Sequence, residues 1–516
     1  MNTINERGFG LFLITTITIV GMCSIVYELL ISTTASYFMG NSVQQFSIII
    51  GIYMASMGVG SWISRWISKD LLYYFVVIEI LLGFVGAFSV PLCYAYFGYS
   101  DFGGFTFFTL LIIFIIGLLT GLEVPLLTRI LENKESLKDN ISKVLAFDYL
   151  GALIATILFP FFLIPFLGIF KSSLVFGLIN VAIGIITFLV FKPSFDDKKR
   201  KAFVLLTGSV VVIMISFMLL RAKKIIADWN DVIYKYEVFY EKESPYQNII
   251  FTKTPDEFRL YLNGAIQFSS RDEYRYHEAL VHIPLTQLDS VKNVLILGGG
   301  EGLALREVLK YEELEEAVLV DLDPTITEVS KQLPLLKRLN EDALESDKVT
   351  IVNEDAFTYL LNNNSKYDAI ICDLPDPTSE SLARLYSNAF YSLTRKNLKQ
   401  NGVIVTQATS PELTKNAFWC IGETMESSGY QHIFPYHVNV PSFGNWGFMM
   451  AMDNDRVRTN FREDIDLKFL ENGILSHLLY FPKDKRVEDI LPNNLDQPIL
   501  LEYYLEHWRS LQGKER

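Results

Sequence analysis

The chain is poor in cysteine and histidine, and each scarcity excludes something. Cys23, Cys93, Cys372 and Cys420 lie far apart, two of them in long apolar runs. No disulfide framework is therefore expected, and a reducing compartment fits. The six histidines show no metal-ligand spacing with acids or cysteines, so no metal site is expected. Positive charge is scarce beyond residue 230, where 29 Lys and Arg stand against 45 Asp and Glu; the first 230 residues carry 16 against 13. Such an acidic half disfavours nucleic acid and favours cations. The first apolar run is too long for a cleavable signal and lacks a small-residue cleavage site, so it is expected to be a retained anchor.

What is present in abundance is hydrocarbon. Apolar runs near 9–32, 43–64, 71–97, 104–130, 144–168, 169–191 and 202–221 are each long enough to cross ~30 Å of lipid. An all-α membrane domain of about seven spans over residues 1–225 follows. Arg65 and Lys69 lie in its second loop, Arg129, Lys134, Lys138 and Lys143 around the fourth, and Lys192 with Lys198 to Lys201 in the sixth. The first and third loops have no Lys or Arg, and the fifth has only Lys171. This bias puts the even loops and the N-terminus in the cytoplasm. An odd number of spans would leave the C-terminal half outside, so either one run is split or re-entrant or the number of spans is one off seven. Four acids fall within the runs: Glu28, Glu79, Glu123 and Asp148. A charge in hydrocarbon costs about 2.5–3.5 kcal/mol even on the insertion scale, so each needs a partner or a role. Glu123 in "GLEVPLL" and Asp148 in "FDYLGAL" adjoin helix-disturbing or small residues and are the candidates for a cation path or amine site; hydrogen bonding between helices is the other reading.

Beyond a charged juncture, short alternating runs such as "IIFTKT" and "FRLYLNG" predict a small β-rich subdomain, within 237–288. From 289 to 516 apolar strands alternate with helical segments, which predicts a doubly wound, Rossmann-like α/β sheet. Ligands of such sheets bind at the carboxyl ends of the strands. There the sequence places the loop "VLILGGGEGLALRE" with Gly298, Gly300, Glu301 and Gly302, then Asp321, then Glu354 and Asp355, then Asp373 and Asp376. A glycine turn after a strand ordinarily cradles phosphate, and a carboxylate at Glu301 would repel it. The acids together describe a pocket for a nucleoside carrying positive charge.

These motifs resemble those of the polyamine aminopropyltransferases, spermidine synthase and its relatives, over about 237–510. The glycine loop fits the family signature, with Glu where Asp is usual. "LNGAIQFSSRDEYRYHEALVHIPL", "YDAIICDLPDPTSESLARLYSNAFYSLTRKNLKQNG", "QATSP", "VPSFGNWGF" and "LDQPILLEYY" follow in the family's order. The membrane half is similar to that of the fused multi-span bacterial members. The resemblance implies an S-adenosylmethionine-methyltransferase-like fold, no prosthetic group, and decarboxylated S-adenosylmethionine as co-substrate. It implies that Glu301 pairs with the ammonium of that co-substrate and rejects the carboxylate of the parent compound. By the same resemblance Gln247 contacts the nucleoside, Asp321 the ribose and Asp355 the adenine, beside Glu354. Asp373 is the implied catalytic base with Tyr276 beside it, and Asp376 and His277 bind the amine. Phe443 stands where soluble relatives often have tyrosine, and Trp446 could wall the acceptor's methylenes.

The implied reaction is transfer of the aminopropyl group to putrescine, with spermidine or another diamine open as acceptor. An S-adenosylmethionine methyltransferase would share the sheet and Asp321, and a polyamine transporter or sensor would use the membrane acids. The expected setting is the bacterial inner membrane, with lipid bilayer and polyamine as partners, the catalytic half cytoplasmic, and a homodimer as in many members of the family.

Overall fold

A computed structural model describes residues 6–39, 42–97, 102–131, 137–191, 197–234 and 236–514. Of the loop cations, Lys134 and Lys192 lie outside the described residues. The chain divides into two units, Met1–Lys235 and Tyr236–Arg516.

The first unit is helical: α1 (Glu6–Met39), α2 (Ser42–Ile63), α3 (Leu71–Phe97), α4 (Phe102–Leu131), α5 (Leu137–Leu158), α6 (Ile164–Phe191) and α7 (Lys198–Tyr234). Among the described residues these form six continuous stretches apolar and long enough to cross a membrane. One stretch, Asn140–Phe191, has 52 residues. At 1.5 Å per residue a straight helix of that length would run to about 78 Å, over twice the hydrocarbon thickness. It is not straight: a π-helical turn, Phe159–Leu163, joins α5 to α6, and Gly168 (φ 69°, ψ 172°) breaks the helix. The runs 144–168 and 169–191 are its two legs. Small residues let helices touch in a solvent that gives them no hydrophobic drive. A Cβ on Gly60 of α2 would meet the Leu118 carbonyl oxygen of α4 at 2.1 Å, and one on Gly121 would meet that of Met57 at the same distance. Glu79 and Glu123 are buried, whereas Glu28 and Asp148 are half-buried.

The second unit begins with a four-stranded antiparallel meander, β1 (Glu237–Glu243), β2 (Asn248–Lys253), β3 (Phe258–Leu262) and β4 (Ala265–Ser269). Its apolar face, with Ile249, Phe251, Leu260 and Phe268, packs on Leu303, Ile326 and Val329 of the larger fold. Helix α8 (Glu273–Leu285) follows, then β5 (Asn293–Gly298), α9 (Leu303–Val308), β6 (Glu316–Val320), β7 (Val349–Val352), β8 (Tyr367–Asp373), β9 (Leu398–Gln407), β10 (His432–Val440) and β11 (Gly444–Met452).

The seven strands stand in the order β10-β11-β9-β8-β5-β6-β7. Five are parallel, and β10 and β11 form an antiparallel hairpin against β9. The alternation of strands and helices in the sequence foretells the parallel part; the hairpin has no intervening helix and only a tight turn, Pro441–Phe443, to announce it. The apolar middles of β5 and β8 are wholly buried, as strands covered on both faces require. β6 and β8 flank β5 on opposite sides, so the chain reverses its direction of winding at the carboxyl end of β5. That end is where such sheets bind ligands.

Candidate active site

At this switch point Gly298 and Asp373 are register partners at the ends of β5 and β8. Gly298 has φ 85°, a backbone that L side chains rarely adopt, and a Cβ on it would lie 2.0 Å from the Asp373 carbonyl oxygen. Only glycine allows the two strand ends to approach so closely. Gly300 solves a second packing problem: its N–H donates to Asp321 Oδ2 at 3.0 Å, and a Cβ there would meet the same oxygen at 2.7 Å. The other Asp321 oxygen accepts from the Asp323 N–H at 2.9 Å. Burial, then the nearby charge of Glu301, push Asp321 up to about 7 against these two backbone bonds.

Helix α8 delivers adjacent side chains to the same end of the sheet. Tyr276 Oη donates to Asp373 Oδ1 at 2.7 Å. Burial first, then Asp373, hold the phenol well above its ordinary range, so it remains a donor. His277 Nδ1 lies 2.8 Å from Glu273 Oε2, and its Nε2 lies 3.7 Å from Glu301 Oε1. Burial opposes a charge on the imidazole, but hydrogen bonds to Glu273 and Glu301 outweigh it and push His277 up to about 10.

Glu273 is in turn gripped by Arg306 of α9, Nη1 to Oε1 at 2.9 Å and Nη2 to Oε2 at 3.0 Å. Arg306 also pairs with Glu307, which meets His282 at 2.8 Å. This buried network ties the helix after the glycine loop to the helix bearing Tyr276 and His277. Its members Glu273 and Arg306 are 33 positions apart, and no local spacing announces them.

His277, Glu301 and Asp373 each bring one potential ligand atom to within 4.8 Å of the others. Spacing in the sequence could not reveal this cluster, because its members come from α8, the glycine loop and β8. At neutral pH an imidazole pushed up to about 10 carries its proton and has no lone pair for a metal, so the cluster suits an organic cation better. Burial and the Glu301 charge push Asp373 up to about 6, against the pull of His277 and Tyr276.

Asp376 is also pushed up to about 6, by burial. It accepts from Tyr504 at 2.9 Å and faces Gln407 Nε2 at 3.4 Å. Gln407, at the end of β9, and Tyr504, in helix Ile499–Lys514, are site residues the sequence reading passed over, although both lie in motifs quoted above. The Gln407 amide is clamped by the Thr409 N–H at 3.0 Å, and Thr409 is a β-branched residue at φ 63°. Such strain persists only where surrounding structure holds it.

The remaining expected residues lie around this centre. Gln247 Nε2 donates to Asp323 Oδ2 at 2.9 Å. Asp355 caps the helix Ala356–Asn362 through the Thr358 N–H and meets Arg384 Nη2 at 2.5 Å, so both its oxygens are engaged. Glu354 is half-buried beside it. Phe443 packs edge-on to Trp446, with ring centroids 4.9 Å apart, and lies 6.0 Å from Tyr276. The buried Trp446 Nε1 has no hydrogen-bond partner. Glu301, Asp321 and Asp373 thus stand at the strand ends, with the ring pair Phe443 and Trp446 beside Tyr276.

The spermine/spermidine synthase domain matches residues 273–463. A polyamine aminopropyltransferase of Leptospira interrogans is 41% identical over 498 residues, 96% of this chain and 98% of its own. Polyamine aminopropyltransferase 2 of Ralstonia nicotianae is 38% identical over 98% of this chain and 99% of its own. The solved spermidine synthase of Thermotoga maritima is 26% identical, covering 48% of this chain and 85% of that one, with a TM-score of 0.44.

Proposed function

Because the chain belongs to the polyamine aminopropyltransferase family, we propose that it transfers the aminopropyl group of decarboxylated S-adenosylmethionine to putrescine, giving spermidine and methylthioadenosine. The observation that carries this reading is the meeting of Glu301 and Asp373 at the carboxyl end of the sheet, with Tyr276 bonded to Asp373 and the carboxyl of Asp376, pushed up by burial, three residues further on. A methyltransferase has no use for carboxylates around the reacting arm.

In the proposed reaction the amine nitrogen attacks the carbon next to the sulfonium. A C–N bond forms, the C–S bond breaks, and its electron pair returns to sulfur, so methylthioadenosine leaves uncharged and needs no acid. The attacking nitrogen must be neutral, and an amine with a pKa near that of Lys, about 10.4, costs ~4–5 kcal/mol to be so at pH 7. Asp373 takes the proton as the bond forms. Its upward displacement to about 6 makes it a stronger base than an ordinary carboxylate while leaving it ionised at neutral pH. Tyr276 orients it. Glu301 selects the ammonium end of the donor, its carboxylate oriented by His277; Gln247 and Asp321 hold the nucleoside, and Asp355 and Glu354 hold the adenine, with Arg384 released from Asp355. Asp376 takes the distal ammonium of the acceptor, and Phe443 and Trp446 wall its methylenes.

The test is mass analysis of products from the purified full chain, given decarboxylated or ordinary S-adenosylmethionine and a panel of diamines and triamines. Spermidine from putrescine and the decarboxylated donor alone is the expected outcome; methylated product would overturn the reading. The enzyme is further proposed to sit in the cell membrane with its catalytic unit facing the cytoplasm and to act as a homodimer. A reporter fused near residue 230 and cross-linking in the membrane test these two points.

A further inference from the structure

We infer that the membrane unit contains a second amine site, an oxygen-lined pocket for one alkylammonium group, built on Glu79 and Glu123. The two carboxyls come from α3 and α4 and lie close enough to act on each other. In a dry interior two adjacent carboxylates need a shared proton or a compensating cation. Around them stand Tyr27 of α1, Tyr53 of α2, Thr120 of α4 and Asn180 of α6, and all six residues are no more than 3% exposed. Asn180 Nδ2 donates to Glu79 Oε2 at 2.9 Å.

The rest of the set does not satisfy itself. Glu79 Oε1, Glu123 Oε1 and Asn180 Oδ1 lack a donor and the Tyr27 hydroxyl has no partner, while the hydroxyls of Tyr53 and Thr120 lie close enough to act on each other. Tyr27 and Tyr53 are within electrostatic reach of Glu123, and Tyr27 of Glu79 as well, so these hydroxyls border the same acids. Polar groups that served only to join helices would be paired with one another, because an unpaired one costs several kcal/mol in lipid. A cluster with surplus acceptors and net negative charge calls for a guest rich in donors and positive. A primary ammonium brings three N–H donors and one charge. The half-buried Asp148, whose charge reaches Glu123, extends the acidic lining toward the outside of the bundle.

The choice of an ammonium over an inorganic cation rests on the polyamine reading of the other unit; the site itself does not. The test uses the full chain in nanodiscs of neutral lipid, carrying Asp373→Asn and Asp376→Asn to weaken amine binding in the catalytic crevice, with radiolabelled putrescine in equilibrium dialysis. Saturable binding is expected, lost when Glu79→Gln and Glu123→Gln are added. Tyr27→Phe and Tyr53→Phe remove only a hydroxyl and keep the packing, and each is expected to weaken binding severalfold. No saturable binding, binding unchanged by the carboxamide pair or by both phenylalanines, or displacement by sodium as effective as by amines would overturn the inference. If this binding is found and the chain with Asp373 and Asp376 intact nevertheless forms no aminopropyl product, the transferase reading is refuted and this one stands.

Discussion

Tyr276 and Asp373, 97 positions apart in the chain, are joined by a 2.7 Å hydrogen bond in which the phenol donates to the carboxylate. That bond favours the ionised acid and opposes the burial and the Glu301 charge that push Asp373 up to about 6. Removing it in Tyr276→Phe should move the acid limb of the kcat profile upward from about pH 6 by about one to two units, since a hydrogen bond to a charged group contributes ~1.5–3 kcal/mol. Activity at pH 8 should suffer far less than at pH 6. Asp373→Asn, by contrast, should abolish the acid limb itself and lower kcat by about 10²–10⁴-fold at all pH values above it, the usual contribution of a general base. A pH-rate series on the three proteins checks both, and an unmoved acid limb in Tyr276→Phe would refute the assigned role of the bond.

Glu301→Gln should act in the opposite direction on that limb. The Glu301 charge is the second cause of the upward push on Asp373, so its removal should bring the acid limb below about pH 6. The same substitution should lower kcat/KM for the decarboxylated donor by roughly 10–100-fold, the loss of one charge-assisted bond. It should also narrow the preference over ordinary S-adenosylmethionine. Competition between the two donors measures this, and an unchanged preference would remove Glu301 as the selecting group.

Much of this site is legible in the sequence because its acids sit at strand ends, and strand ends are announced by apolar runs that stop at a carboxylate or a glycine. Asp321, Asp373 and the glycine loop are readable for that reason. The contacts that give them their chemistry are not. Glu273 and Arg306, Asp376 and Tyr504, and Glu79 and Glu123 meet only through tertiary packing, and nothing in the spacing of either partner marks the other. The break in the long fifth membrane stretch is a contrary case. The sequence boundary between the runs 144–168 and 169–191 falls at Gly168, and the backbone angle there supplies what hydropathy does not, the turn itself. Of the four intramembrane acids, local sequence favoured Glu123 and Asp148, whereas the pair that packing brings together is Glu123 with Glu79.

His277 gives the ligand-free enzyme a distinctive response to alkali. Its folded value is pushed up to about 10, above the ~6.5 of an unfolded histidine. Its contribution to stability is therefore complete below about pH 6.5 and is lost as the pH rises through about 10. At ~1.36 kcal/mol per unit the window amounts to a few kcal/mol. Thermal midpoints measured across that range should fall in the native protein and fall much less in His277→Gln. Parallel curves would show that Glu273 does not hold the imidazole in its charged form.

The closest steric test of the switch point is Gly298→Ala. The methyl group would have to occupy space 2.0 Å from the Asp373 carbonyl oxygen, in a backbone conformation (φ 85°) that costs alanine on the order of 1 kcal/mol by itself. Neither neighbour can yield cheaply, because the obstructing atom is backbone of the central strand pair and not the end of a flexible chain. The strands must part where β5 meets β8, and Asp373 must move with them. A drop in thermal midpoint of several degrees is expected, with kcat falling far more than the donor's KM rises, since the binding contacts at Gly300 and Asp321 lie on the other side of the loop. Gly51, whose Cβ would meet nothing within 4 Å, provides the control: Gly51→Ala should leave both quantities unchanged. Equal effects from the two substitutions would mean that the close approach of β5 and β8 does not position the base.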